Sequence, residues 1–434
     1  MASTNIYKTF SSSTNNKTCT LSVWVKRSGL NNRQAIASQT VDGSNETFIW
    51  FDTNDELFLK ESGEATYEYR TNRKFRDASA WYHIVMAIDT TQSTASDRIK
   101  LYINGVRETS FASSTAPALN DDTRWNSTTQ FNIGRMNYGS NYFNGLMSHL
   151  HWIDGTAYDA SAFGETDATT GEWKIKTSPS VTYGTNGFFI LKDGNSVTDQ
   201  SGRGNNWQVG NGTLTKTEDC PDNVFATLNP LATSSYNTLT NGNLTVAGNA
   251  DANDGKTYST LVMPNATSKF YWEIKCVSKE DNGNPKYGFI QASRGFDNSN
   301  GNQAGGSLNP CYDFIIRPSG QIDTNGSTGS VITSTWGAGD ILSFALDSIN
   351  GACYVGINGV WQTSGNPTSG ASRTGAILTW SPTQGGSIGA LDGQAIYISS
   401  YATGSVSNFN FGNGYFGTTA VSSAGTNASG IGIF

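Results

Sequence analysis

The chain has 434 residues with a net charge of -7, from 35 acidic and 28 basic side chains scattered along its length. No basic run could track phosphates, so nucleic acid is not an expected partner. No segment approaches the roughly 18 consecutive apolar residues of a membrane span, so membrane insertion is not expected either. An aromatic content of 12% and 48 glycines against 10 prolines argue against disorder and for many short strands punctuated by turns.

The N-terminal Met1–Tyr7 lacks a basic-then-apolar leader, so export by the general secretory route is not expected. From Thr18 to Lys26, Cys19, Leu21, Val23 and Val25 share one face while Trp24 lies on the other, which predicts a half-buried strand. Further strands are predicted at Glu46–Asp52, Glu56–Lys60 and Trp81–Asp89, each bounded by Asn, Asp, Gly or Ser. Arg98–Glu108 reads as a hairpin, because Asn104-Gly105 supplies the two positive φ values of a type I′ turn. Strands continue at Phe131–Gly134 and Tyr142–Asp154, and at most a short turn near Ala160–Phe163 is helical.

In the second half, strands are predicted at Lys269–Val277, Tyr287–Ala292, Cys311–Arg317, Asp340–Asp347 and Gly351–Asn358, with a second Asn-Gly turn at Asn358-Gly359 and a closing strand at Phe409–Phe411. The fold class read from this pattern is all-β, with two antiparallel β-sandwich domains in tandem. The expected division is a jelly-roll domain at 1–212, a linker at 213–243, a second sandwich at 244–416 and a Gly/Ser/Ala-rich tail at 417–434. Both Ala2–Phe10 and the C-terminal tail are expected to dock to partners, since chain ends stay disordered unless tied down.

Leu21–Lys26, Trp81–Val85, Ile99–Gly105 and Phe143–Met147, taken in order, resemble a laminin-G/concanavalin A-like jelly roll. Lys269–Glu273, Tyr287–Ile290, Gly339–Asp347, Asn358–Trp361 and Phe409–Gly412 resemble a SPRY-type sandwich. The connecting Cys220–Leu231 and Leu239–Leu244 are similar to a signature in virion proteins of tailed bacteriophages. The resemblance implies a structural protein of the virion surface, a lectin-like tail or fibre component that contacts host-surface carbohydrate or neighbouring virion proteins. Capsid decoration is the alternative role it leaves open and a glycan depolymerase the second. It also implies a homo-oligomer, with a trimer as the expectation, although no heptad stalk is present to enforce one.

Glycan binding requires flat aromatic platforms beside polar groups, and Trp125, Tyr138, Tyr142, Trp152 and Trp207, in or beside Asn-rich turns, are the candidates. Trp24, Trp81, Trp272 and Trp361 sit inside strand motifs and are assigned to the core. Calcium is the one candidate cofactor, with Asp193, Asp199 and Asn205 as oxygen donors on a loop rim; the plainer reading of these residues as an Asp/Asn/Gly hairpin cluster is preferred.

His149 and His151, two apart on a strand, would share a face, but no third metal ligand lies nearby. Asp52, Asp55, Glu56, Glu64 and Glu68 read as solvated charges rather than the paired carboxylates of a glycosidase, and no catalytic residue is assigned. The five cysteines are read as reduced structural thiols.

Overall fold

The computed structural model describes residues 4–139, 141–192, 194, 196–249, 255–264, 268–279, 285–291, 314–324, 327–331, 334–381, 393–400, 402–425 and 430–434. Among these the regular structure is antiparallel β, interrupted only by short 3-10 turns, one of them at Ala160–Ala162. The chain separates into two compact units, Met1–Val224 and Phe225–Phe434.

In the first unit, alternation along each strand sends one set of apolar side chains between two sheets. The larger sheet runs Phe111–Thr115, Tyr67–Lys74, Glu56–Glu61, Thr47–Phe51, Gln34–Ser38, Phe131–Ile133, Asn5–Lys8 and Gln208–Asn211. The facing sheet runs Phe188–Ile190, Gly145–Asp154, Thr18–Arg27, Trp81–Asp89, Ile99–Ile103 and Val106–Arg107. Leu21, Val23, Val25, Ile49, Phe51, Leu57, Leu59, Ile84, Met86 and Ile88 meet between them, and burial of this apolar area drives the pairing of the sheets. Asn104 and Gly105 take φ of 48° and 80°, the geometry their dipeptide predicts.

Strand Thr18–Arg27 departs from the half-buried expectation: almost every residue in it is buried. Its second face is covered by the segment that follows Asp154. Thr20 Oγ1 donates to the Thr156 carbonyl and accepts from the Tyr158 N–H, both at 2.8 Å. Trp173, on the small ribbon Gly164–Thr166/Trp173–Ile175, donates to His83 Nδ1 at 3.0 Å. That fixes the His83 proton on Nε2, which donates to Ser22 Oγ at 2.8 Å, and burial depresses His83 to about 3, so the ring is a neutral packing element.

The second unit pairs one sheet of Leu228–Thr233, Gly255–Met263, Gln394–Ser400, Lys286–Gln291, Phe314–Ile316, Gln321–Thr324 and Ser327–Val331 with another of Asn237–Thr240, Thr245–Gly248, Val406–Asn410, Lys269–Ser278, Ile341–Asp347, Ala352–Ile357 and Val360–Trp361. Its core stacks Trp272 on Phe344 at 5.0 Å and Tyr287 on Trp336 at 4.8 Å. Gly288 is required here, since a Cβ would lie 1.8 Å from the Phe314 carbonyl oxygen of the neighbouring strand. Gly288→Ala is expected to destabilise the second unit by about 1 to 3 kcal/mol, the usual cost of overpacking, read as a lowered thermal midpoint; an unchanged midpoint would exclude this account.

Three segment assignments are corrected. Residues 213–243 are not a free connector: Leu228 is fully buried, and Leu228–Thr233 and Asn237–Thr240 are sheet strands. The N-terminal segment is not a docking arm over its described part, because Asn5–Lys8 lies between two strands and Phe10 is in the core. The C-terminal tail folds back: Ile433 bridges to Asn413, and the Phe434 ring packs edge-on to Tyr271 at 4.8 Å. Satisfying backbone polar groups and burying Phe10 and Leu228 outweigh the entropy of these ends.

Candidate functional site

The outer face of the larger first-unit sheet carries a feature that single strands do not reveal. Thr47–Phe51 is apolar on both sides: Ile49 and Phe51 enter the core, while Phe48 and Trp50 form a separate outer cluster with Ala35, Phe58 and Met136. Strand register aligns Ala35, Trp50, Phe58 and Arg70 in one row across four strands. Phe48 and Trp50 stack at 3.7 Å. The Arg33 guanidinium covers Trp50 at 5.1 Å and that of Arg70 covers Phe58 at 3.9 Å, so cation–π attraction orients both groups on the row.

An ion network closes one end of this row. Asp52 accepts from Arg33 at 3.0 Å and Arg70 at 2.6 Å, and Glu56 from Arg70 at 3.2 Å and from Lys74. Burial pushes the Asp52 carboxyl upward, but hydrogen bonds from Arg70, the Thr53 N–H and Arg33 outweigh it and hold the group below the ordinary carboxylate range. Asp55 forms an ion pair with Arg27 at 3.0 Å and accepts from Arg76 Nε at 3.1 Å. These carboxylates are paired to cations, not solvated as the sequence pattern suggested.

The loop following Phe131–Ile133 borders the row. The Ala35 N–H donates to the Asn141 carbonyl at 3.2 Å, Ser38 Oγ donates to Asn137 Oδ1 at 2.7 Å, and Met136 joins the outer cluster. This anchoring presents Tyr138, 62% exposed, beside Gly43. Tyr142 is half-buried, its hydroxyl accepting from Asn211 Nδ2 at 3.0 Å, with Arg135 over its ring at 5.4 Å. Of the five glycan-binding candidates, the structure places these two at the surface.

Trp125, Trp152 and Trp207 are corrected to core residues. They are at most 3% exposed and close the sandwich interior with Phe131, 5.1 to 5.5 Å from their rings. Trp125 Nε1 donates to the Tyr67 hydroxyl at 2.7 Å and Trp152 Nε1 to Asn126 Oδ1 at 2.6 Å; a ring enclosed in this way offers no face to a sugar. Trp24, Trp81 and Trp272 are buried as assigned, whereas Trp361 is half-buried.

Asp193 lies outside the described residues. Asp199 accepts the N–H groups of Phe189, Ser201 and Asn205 at 2.8 to 2.9 Å, and Asn205 Nδ2 donates to the Thr185 and Gly187 carbonyls, so both serve the loop's own backbone. His149 takes φ 46° at a register break, which interrupts the alternation assumed for the histidine pair. His151 stacks on Phe189 at 3.9 Å, bonds through Nδ1 to the Tyr183 hydroxyl at 2.9 Å, and is held well below the ordinary imidazole range by burial. Among the described residues no three His, Cys, Asp or Glu side chains form a metal-holding group. Cys19, Cys220, Cys276 and Cys353 carry free thiols, and Cys311 lies outside the described residues.

Sequence reasoning missed Arg33, Trp50, Phe58 and Arg70. The signal available was the two-sided apolar pattern of Phe48-Ile49-Trp50-Phe51, which marks a strand whose outer face is also covered.

Residues 2–161 match the family model described as the concanavalin A-like lectin/glucanases superfamily; this part of the chain has a lectin-like fold. No curated protein sequence matches the chain. Among solved structures, the chain is similar to the SPRY domain of human HERC1, at 13% identity and TM-score 0.31 over 42% of this chain and 96% of that one. It is also similar to the native heptameric SAP-like pentraxin from Limulus polyphemus, at 14% identity and TM-score 0.27 over 36% of this chain and 71% of that one. A third similarity is to domain 4 of AbnA, a GH43 extracellular arabinanase from Geobacillus stearothermophilus, in complex with arabinotriose, at 21% identity and TM-score 0.26 over 33% of this chain and 64% of that one.

Proposed function

We propose that this chain is a non-enzymatic, lectin-like surface protein of a tailed-bacteriophage particle, a tail or fibre component that contacts host-surface glycan through the outer face of its first unit. The observation that carries the reading is the 62% exposed ring of Tyr138, on the loop that borders the partly exposed guanidinium groups of Arg33 and Arg70, which themselves lie over the buried Trp50 and Phe58. Pyranose rings stack on flat apolar faces while their hydroxyls take hydrogen bonds from fixed polar groups, and this face supplies both. The phage context is supported by the order of the two sandwich signatures and the segment joining them.

A glycan array and a host-cell adsorption assay with the isolated protein test the reading. The wild type is expected to bind, and Tyr138→Ala to weaken binding by about tenfold, the loss of one aromatic platform worth roughly 1 to 2 kcal/mol. Binding to neither glycan nor cell would remove the receptor-contact role. Labelling that places the protein on the capsid shell would move the assignment to decoration, and release of reducing ends from host polysaccharide would move it to a depolymerase.

A further inference from the structure

The ion network at the Asp52–Glu56 turn is asymmetric in a way that ordinary surface ion pairs are not. Arg27, Arg33, Arg70, Lys74 and Arg76 bring five positive charges to the three carboxylates of Asp52, Asp55 and Glu56, an excess of two. The carboxylates lie beneath, with side chains 7%, 0% and 11% exposed. The outer cations lie above them: Arg33 is 51% exposed, Arg76 54%, Lys74 39% and Arg70 26%. An approaching solute therefore meets positive charge first, on a chain whose net charge is -7.

The geometry also leaves the gripping edge of two guanidinium groups available. Arg33 and Arg76 each engage their carboxylate through Nε. The paired terminal nitrogens, which form the fork that holds an oxyanion in two parallel hydrogen bonds, are not used in those contacts. Arg33 is further oriented by Trp50 and Arg70 by Phe58, so less side-chain entropy is lost when a ligand is held.

We propose that this ridge docks acidic polysaccharide, a chain whose successive sugars bear carboxylate or sulfate; the proposal rests on the glycan-contact reading and names its ligand class. Oxyanions spaced along a polymer engage the Arg33 and Arg76 forks with Lys74 as an added point charge.

The full chain is tested on immobilised polygalacturonate, dextran sulfate, neutral dextran and duplex DNA. Retention is expected on both acidic polysaccharides, which separate carboxylate from sulfate recognition, with none on dextran and weaker retention on DNA. Arg33→Gln combined with Arg76→Gln is expected to weaken binding to the acidic polysaccharides by about tenfold, through loss of charge-assisted pairs. Asp52 keeps Arg70 and Asp55 keeps Arg27 in that variant, so the unfolding midpoint checks that the fold persists. If the Gln pair does not fold, Arg33→Lys with Arg76→Lys, which retains charge but loses the forks, carries the test with an expected several-fold loss. The charge-matched control Lys17→Gln with Lys216→Gln is expected to bind as the wild type does. No retention on either acidic polymer, equal loss in ridge and control variants, or DNA retained as strongly as the polysaccharides would overturn the proposal. Neutral glycans bound on the array without retention on the acidic columns would defeat the ridge and leave the glycan-contact reading standing.

Discussion

Asp219→Ala is expected to cost the first unit about 3 to 5 kcal/mol, the range for breaking a buried ion pair from one side. Asp219 Oδ2 accepts from Lys26 Nζ at 2.6 Å with both side chains at most 3% exposed, and Oδ1 accepts from Trp81 Nε1 at 2.9 Å. Lys26 and Trp81 face each other across two paired strands, so one carboxylate ties the segment around residue 219 to the second face of the smaller sheet. Truncation removes the carboxylate that faces both the buried ammonium and the indole N–H, and the low local dielectric makes each loss costly. Replacing both charges, as in Lys26→Met with Asp219→Ala, is expected to recover most of the loss, because the desolvation penalty disappears along with the attraction. Urea midpoints of the single and double variants measure this; a loss below about 1 kcal/mol in Asp219→Ala, the range of an exposed pair, would show that the pair is solvated.

Glu61 is expected to make stability fall as pH rises from about 4.5 to about 7. Its side chain is 1% exposed. Burial pushes its carboxyl from 4.5 up to about 7, although the N–H groups of Arg124 and Ala65 and the Tyr67 hydroxyl favour the charged form. An elevated folded value means that the native state binds the proton which the unfolded chain has already released. The contribution is therefore largest below pH 4.5, declines through the window and levels off above pH 7, about 3 kcal/mol in all by linkage. Glu61→Gln removes the titration while retaining an acceptor for the Arg124 N–H, which lies 2.7 Å from Oε1. Denaturant midpoints between pH 4.5 and 8 should slope downward in the wild type and lose that component in the variant. A slope that is the same in both would assign the titration to another group.

Much of the candidate face was illegible in the sequence for a geometric reason. The row from Ala35 through Trp50 and Phe58 to Arg70 crosses four strands, and residue spacing along one strand carries no information about which residue of the next strand lies opposite. Tyr138 was legible because a Gly/Asn/Ser-rich turn keeps its backbone at the surface. The same argument misplaced Trp125 and Trp207, since a loop backbone at a sandwich end can still turn a large ring inward. Trp152 carried a contrary signal: it lies two residues from Leu150, and both enter the core.

The sequence by itself determined the β architecture, because two-residue alternation and Asn-Gly corners act through local sterics and the backbone dihedrals of Asn104, Gly105, Asn358 and Gly359. Tertiary structure alone decided which polar groups are buried in pairs and which remain outside. Lys26 and Asp219 are separated by 193 positions and meet at 2.6 Å, and Arg33 owes its outward fork to a carboxylate and an indole on other parts of the sheet. Such arrangements depend on desolvation and Coulomb energy summed over distant neighbours, and those neighbours exist only once the sheets have closed.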